Sequence, residues 1–225
     1  NLGEGTNSWV VAVEVWDPDD AGPQRSILAA AGLFTVAGGV EANRVACWDG
    51  SGWQALGAGT DNNVLALTVW DPDGPGPEPA LLVAGGSFSF AGGEVAQRIA
   101  AWNGSAWQAL GSGMNDTVSA LASWDPDGSG PLPALLVAGG YFTSAGGEAA
   151  NRIAVWDGSN WQALGSGFDD RVEDLHVWKQ PNGGQPSPTL VACGGFSNAG
   201  GVPTNRIAAW SGSSWQALGT GMDSV

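Results

Sequence analysis

Histidine and tyrosine occur once each in this 225-residue chain, as His176 and Tyr141, and cysteine occurs only twice. His176 has no second His and no Cys at metal-ligand spacing, so it does not read as part of a zinc site. As a general base it needs a nucleophile and an orienting group, and the sequence offers neither. Basic residues number 7 against 22 acidic ones, a net charge of −15. That field repels a phosphate backbone and argues against nucleic acid or an anionic membrane as partner. It fits an extracellular or salt-adapted surface, or one that attracts cations. No apolar run approaches the length of a membrane span. No initiator Met, signal peptide or anchor is present, so the sequence does not report its own targeting. Helical periodicity is absent throughout, which excludes a phosphate-cradling loop that opens a helix.

Cys47 and Cys193 do not make a disulfide framework. Each stands where the other repeats carry a small residue. Cys193 aligns with Ala31, Gly85 and Gly139, and Cys47 with Ala101, Val155 and Ala209. Two small buried thiols are expected, with a Cys47–Cys193 bridge as the alternative.

Glycine, at 37 residues, and tryptophan, at 13, are abundant. The hydrophobic share is 43%, so the glycine marks tight turns in a globular chain and not disorder. Trp-Gln-Ala-Leu recurs at Trp53, Trp107, Trp161 and Trp215, every 54 residues. Trp16, Trp70, Trp124 and Trp178 form a second column with that interval, and Trp48, Trp102, Trp156 and Trp210 a third. Only Trp9 stands outside the columns, which marks it as the exposed aromatic. Such a period defines a repeat architecture.

One repeat parses into four short strands. Residues 64–70 are apolar and read as a buried strand. The Pro- and Gly-rich stretch 71–79 is a loop. Residues 80–88 form a second strand, whose Gly85-Gly86 suits a bulge or a close backbone approach. A loop follows over 89–97, then a third strand over 98–102. Asn103-Gly104 signals a type I′ hairpin, and 106–110 is the fourth strand. Four antiparallel strands per repeat without helix describe an all-β propeller blade. The blades fall at about 10–56, 64–110, 118–164 and 172–218. The Trp columns are structural, filling the wedge between blades. Gln54, Gln108, Gln162 and Gln216 are the candidate partners of the indole N–H groups. The chain opens on Leu2-Gly3-Glu4-Gly5, a match to Leu56-Gly57-Ala58-Gly59, and stops at Met222-Asp223-Ser224-Val225, where a new first strand is due. It is thus expected to be a segment of a longer array, or a four-blade unit closing alone or with a second copy. An open stack exposes an apolar face at each end, so closure with further blades or another copy is favoured.

The stretches Leu82–Gly93 (LVAGGSFSFAGG) and Arg98–Leu110 (RIAAWNGSAWQAL) resemble Kelch-like blades. The closer resemblance is to repeats of large secreted bacterial propeller proteins and of the fungal cell-polarity cortical marker family. It covers all four repeats. It implies a secreted or cell-surface propeller, often part of a larger protein. The long Asp-Pro-Asp-Gly loop departs from standard Kelch blades, and the copper-ligand and Tyr–Cys arrangement of oxidase relatives is missing.

Four features carry candidate chemistry. Asp71-Pro72-Asp73-Gly74-Pro75-Gly76 recurs as Asp125-Pro126-Asp127-Gly128-Ser129-Gly130, with Asp17-Pro18-Asp19-Asp20 as a variant. Asp at alternate positions before Gly opens a calcium loop, and the stretch resembles the loops between first and second strands in integrin-type propellers. The later acidic ligands are missing, however, and the fourth repeat has Lys179-Gln180-Pro181-Asn182; turn formation alone also explains Asp, Pro and Gly there. Arg44, Arg98, Arg152 and Arg206 recur once per repeat, either as a ring of guanidinium groups for anions or paired internally, to carbonyls or to Asp49 and Asp157, in blade-to-blade bonding. The Trp columns offer a sugar platform as the alternative to wedge packing. Glu173, Asp174 and His176 make one strand polar and mark an exposed edge or an adaptation of the last blade. Asp169-Asp170 and Asp19-Asp20 lie in loops and do not define a glycosidase pair. Asn103-Gly104-Ser105 and Asn115-Asp116-Thr117 match glycosylation sequons. The expected role is therefore non-catalytic, with no catalytic residues and no cofactor unless calcium. The chain is a structural or interaction propeller partnered by further blades or another copy, with glycan- or calcium-dependent adhesion as the alternative.

Overall fold

A computed structural model describes residues 4–19, 22, 25–74, 76–128, 132–179 and 188–222. Positions 2–3, 20, 75, 129–130, 180–182 and 223–225, which figure in the motifs above, lie outside the described residues. Every described element is a β-strand. The first repeat holds β1 (Val10–Trp16), β2 (Ile27–Gly32), β3 (Val36–Ala37), β4 (Val40–Glu41), β5 (Val45–Trp48) and β6 (Trp53–Ala55). The second holds β7 (Val64–Trp70), β8 (Leu81–Gly86), β9 (Phe90–Ala91), β10 (Glu94–Val95), β11 (Ile99–Trp102) and β12 (Trp107–Ala109). The third runs from β13 (Val118–Trp124) and β14 (Leu135–Gly140) through β15 (Ser144–Ala145) and β16 (Glu148–Ala149) to β17 (Ile153–Trp156) and β18 (Trp161–Ala163). The fourth comprises β19 (Val172–Trp178), β20 (Thr189–Gly194), β21 (Asn198–Ala199), β22 (Val202–Pro203), β23 (Ile207–Trp210) and β24 (Trp215–Ala217). Each repeat makes one four-stranded antiparallel sheet, ordered β1-β2-β5-β6 in the first and likewise in the others. We number these sheets one to four.

Each repeat also carries a two-residue hairpin, such as β9–β10, where the sequence suggests only a loop. Its turn is Gly92-Gly93, with φ of 63° and 91°, the two positive φ values a type I′ turn demands. The turn expected at Asn103-Gly104 is different. Trp102 pairs with Trp107, leaving four residues between the strands. Asn103 Oδ1 accepts the backbone N–H groups of Ser105 and Ala106, and Gly104 has a positive φ while Asn103 does not. The side chain builds the turn here, as Asn and Asp do readily.

The second glycine of each Gly-Gly step answers a close approach. A Cβ on Gly86 would sit 2.0 Å from the Asn63 carbonyl oxygen, and one on Gly140 2.1 Å from that of Thr117. A bulge after the first residue of β7 lies beside this approach.

The chain divides into two compact units, Asn1–Gly113 and Met114–Val225. In strand pairing, side chains at partnered positions share a face. Ala12 and Trp16 pair with Ala31 and Ile27 and define the front face of sheet one. Val10, Val13 and Val15 pair with Gly32, Ala30 and Leu28 and define its rear face. In the first unit the front of sheet one (Trp16, Ala29, Ala31) packs against the rear of sheet two (Val64, Leu67, Leu82) in one core. In the second unit the front of sheet three (Ala120, Ala122, Trp124) meets the rear of sheet four (Val172, Leu175, Leu190) in the same way. Small residues let the sheets close: a Cβ on Gly139 would lie 2.6 Å from Val172 Cγ1. A column of phenylalanines, Phe34, Phe88, Phe142 and Phe196, is completely buried, one per repeat. Burying each contributes about 1.5–3 kcal/mol.

Candidate functional site

Four indole N–H groups donate across the sheet-to-sheet joints, not to the glutamines. Trp16 Nε1 donates to Ala80 O at 2.7 Å, and Trp107 Nε1 to Leu56 O at 2.8 Å. In the second unit Trp124 Nε1 donates to Pro188 O at 2.8 Å and Trp215 Nε1 to Leu164 O at 3.1 Å. Each spans 51 or 64 residues, beyond the reach of the local pattern that suggested Gln. Gln54 and Gln162 instead donate to Asp49 and Asp157, and Gln216 to Ser214. Trp53, Trp70, Trp102, Trp156, Trp161 and Trp210 are buried too, and Trp48 is partly buried. Trp178 breaks the column: it is exposed, as is Trp9.

The recurring arginines are tied to main-chain carbonyl oxygens, three of them within their own repeat. Arg44 Nη1 donates to Leu33 O and Phe34 O. Arg152 Nη1 bonds Tyr141 O and Phe142 O. Arg98 Nη1 reaches Phe88 O and Ser89 Oγ, and Arg206 Nη1 reaches Met222 O. The bonds of Arg44, Arg98 and Arg152 brace a loop inside one repeat, that of Arg206 holds the segment after the fourth sheet, and Asp49 and Asp157 are not among these partners. All four arginines have φ between 66° and 71°, the left-handed region that non-glycine residues rarely enter. The backbone explains it. Arg98 N donates to Phe88 O while Arg98 O accepts from Gly86 N, so the residue closes the loop with both main-chain groups.

A column that the sequence reading passed over does similar work. Asn7, Asp61, Asn115 and Asp169 each accept two successive N–H groups from the following hairpin, as Asp61 does from Ser89 and Phe90. Asn or Asp every 54 residues was the available signal. Partial burial raises the Asp169 carboxyl, but the N–H groups of Asn198 and Ser197 and the Asn198 amide outweigh it and hold the group below its ordinary value.

In the Asp-Pro-Asp loops the first carboxylate caps a turn. Asp71 Oδ1 accepts from Asp73 N and Gly74 N, and Asp125 Oδ1 from Asp127 N and Gly128 N. Asp17 Oδ1 accepts from Asp19 N and Asp17 Oδ2 from Ser26 Oγ. Burial pushes the Asp71 carboxyl up. Asp73 Oδ2 and Asp127 Oδ2 tie the loop exits at Glu78 N and Leu132 N. Among the described residues no three His, Cys, Asp or Glu side chains converge as a metal cluster.

Cys47 is buried, Cys193 partly so, and both are free thiols. Glu173, Asp174 and His176 are exposed along β19. Arg171 Nε bonds Glu173 at 2.7 Å. No described helix is long and apolar enough to cross a membrane. Neither a scan against models of known families nor a search of curated proteins finds a match.

Proposed function

We propose that the chain is a non-catalytic, Kelch-like β-propeller module, working outside the cell as a structural or interaction element that assembles with further blades or a second copy. The observation that carries this reading is the joint. Sheets one and two, and sheets three and four, meet with the same Trp-to-carbonyl bonds at the same repeat positions. A radial stack of blades is built by reusing one such joint. The recurring residues that could serve chemistry are committed to the scaffold: the four repeat arginines to carbonyls, the loop aspartates and asparagines to turns, most tryptophans to the cores. The acidic surface and the resemblance of the repeats to secreted propellers support an extracellular setting. Light scattering on the 225-residue chain over a wide concentration range is the test. A mass above that of one chain is expected; a monomer at every concentration rejects self-assembly.

Calcium binding by the Asp-Pro-Asp loops is a second reading, favoured by Asp73 Oδ1 and Asp127 Oδ1, which are buried without a hydrogen-bond partner. Hard cations take such oxygens. A melting temperature indifferent to calcium and to chelator removes it.

A further inference from the structure

Among the described residues, the rear of sheet one and the front of sheet four stand open where the joint within each unit is buried. Sheets two and four bury their rear faces: Val64 and Val172 are 0% exposed, Leu67 and Leu175 8% and 6%. At the same positions in sheet one, Val10 is 43% and Val13 60% exposed, with Val15 beside them at 62%. On sheet four it is the front that is open. Trp16 and Trp124 are 2% and 4% exposed and each donates its indole N–H to the next sheet. Trp178, their counterpart, is 43% exposed, and no partner for its N–H stands among the described residues.

The open front carries an empty seat. In the first unit, Trp102 packs over Gly57, where a Cβ would lie 3.2 Å from the ring, and Trp107 bonds Leu56 O. The equivalent Leu218 is exposed, and a Cβ on Gly219 would meet nothing within 4 Å. A groove of about 440 Å³ opens beside it, lined by Trp178, Ala209, Gln216 and Leu218 among others. The sheet-one residue equivalent to Trp102 is Trp48, the one member of its column that is not fully buried.

We infer that the rear face of sheet one docks on the front face of sheet four of a second copy, repeating the joint formed within each unit. The inference rests on the propeller reading. Trp48 and the three valines stand on one face, and Leu218, Gly219 and Trp178 on the other; because Gly5 O already accepts from Gly38 N, as Gly59 O does from Gly92 N, docking replaces residues 5–6 of the first copy by Gly221 and Met222 of the second. Trp178 Nε1 then donates to Ser26 O, the repeat equivalent of Ala80 O and Pro188 O. Asp174 and His176 take the places of Ala12 and Glu14, so the β19 side of the joint is polar and the apolar contact concentrates at Trp178 and Leu218. The contact is head-to-tail, so it closes a ring of two copies or runs on as a chain. Two copies at −15 each repel one another, so added salt strengthens the association.

The test is light scattering on the full chain with two surface variants, Val13→Asp and Leu218→Asp, whose exposure lets them fold; near-UV circular dichroism checks this. Wild type is expected as a dimer or larger, and each variant alone as a monomer. Mixing the two variants is expected to restore a one-to-one dimer, because each keeps one intact face. An assembled wild type that ignores both substitutions overturns this joint and leaves self-assembly standing. A wild type that stays monomeric, whether or not the groove takes a glycan, overturns both. Variants that stay monomeric on mixing reject the head-to-tail arrangement.

Discussion

Truncating Arg98 separates a guanidinium that braces the fold from one displayed to a ligand. Its Nη1 bonds Phe88 O at 2.9 Å and Ser89 Oγ at 2.8 Å, both partly buried. Hydrogen bonds from a charged donor contribute about 1.5–3 kcal/mol when protected, and about 1 kcal/mol each is reasonable at this half-exposed position. Arg98→Ala should therefore cost about 2 kcal/mol. Alanine leaves the backbone at φ +68°, a conformation that costs an L-residue about 1–2 kcal/mol. Arg98→Gly relieves that strain, while glycine's greater freedom when unfolded gives back about 0.5–1 kcal/mol. The glycine variant should thus be the more stable of the two by about 0.5–1 kcal/mol, though still below wild type. Arg98→Lys should fall between wild type and alanine, since a single ammonium does not reproduce a planar fork. Urea unfolding followed by Trp fluorescence measures the order of midpoints. If alanine is harmless, or glycine is worse than alanine, the bracing account fails. If sulfate raises the wild-type melting temperature but not that of Arg98→Ala, the guanidinium is an anion ligand after all.

Three further outcomes follow from single positions. Asp49 is held at about 2, chiefly by the Ser51 hydroxyl and then by the backbone N–H groups of Ser51 and Gly52; a carboxyl lowered in the folded state adds stability above its unfolded value, lost as pH falls from about 4 towards 2. Asn103 fills the same place in the second repeat, so Asp49→Asn should melt as wild type does at neutral pH and lose less on acidification, measured by melting temperature against pH. Burial raises the Glu14 carboxyl, so its charge opposes folding at neutral pH; Glu14→Thr, copying buried Thr68, should raise the melting temperature, by a margin that shrinks as pH falls into the carboxylate range. Gly86→Ala drives a Cβ to 2.0 Å from Asn63 O and should cost about 3 kcal/mol in chemical unfolding, whereas Gly92→Ala meets only the Trp107 side chain, at 3.2 Å, and carries mainly the cost of φ +63°.

Much of the fold was legible because packing of this kind leaves periodic marks. Three Trp columns and the Gly-Gly step located all four sheets and their strands to within a residue or two. The misses share a cause. The hairpin β9–β10 has two residues per strand, too few to show alternation. Asn103 looked like a backbone turn residue, while its side chain, not its φ, makes the turn. Gln108 stood next to Trp107, but the indole's partner is Leu56, 51 residues away on the next sheet. Strand and turn chemistry is local and shows in the sequence; joint chemistry is made between repeats and does not.

The same distinction explains why the period alone says little about function. A repeat states which positions are equivalent, whereas burial depends on what lies against them. Trp16 and Trp178 are one residue type at one repeat position, yet one bridges two sheets and the other faces solvent. Departures from the period carried the information. Asp174 replaces the alanine of the other three repeats, and with Glu173 and His176 it makes polar the strand whose front face is open, as a face that tolerates water allows. On sheet one, by contrast, Val10, Val13 and Val15 keep the apolar pattern of a covered face while remaining exposed. Apolar side chains held at joint positions on an open face are what a surface awaiting a partner retains.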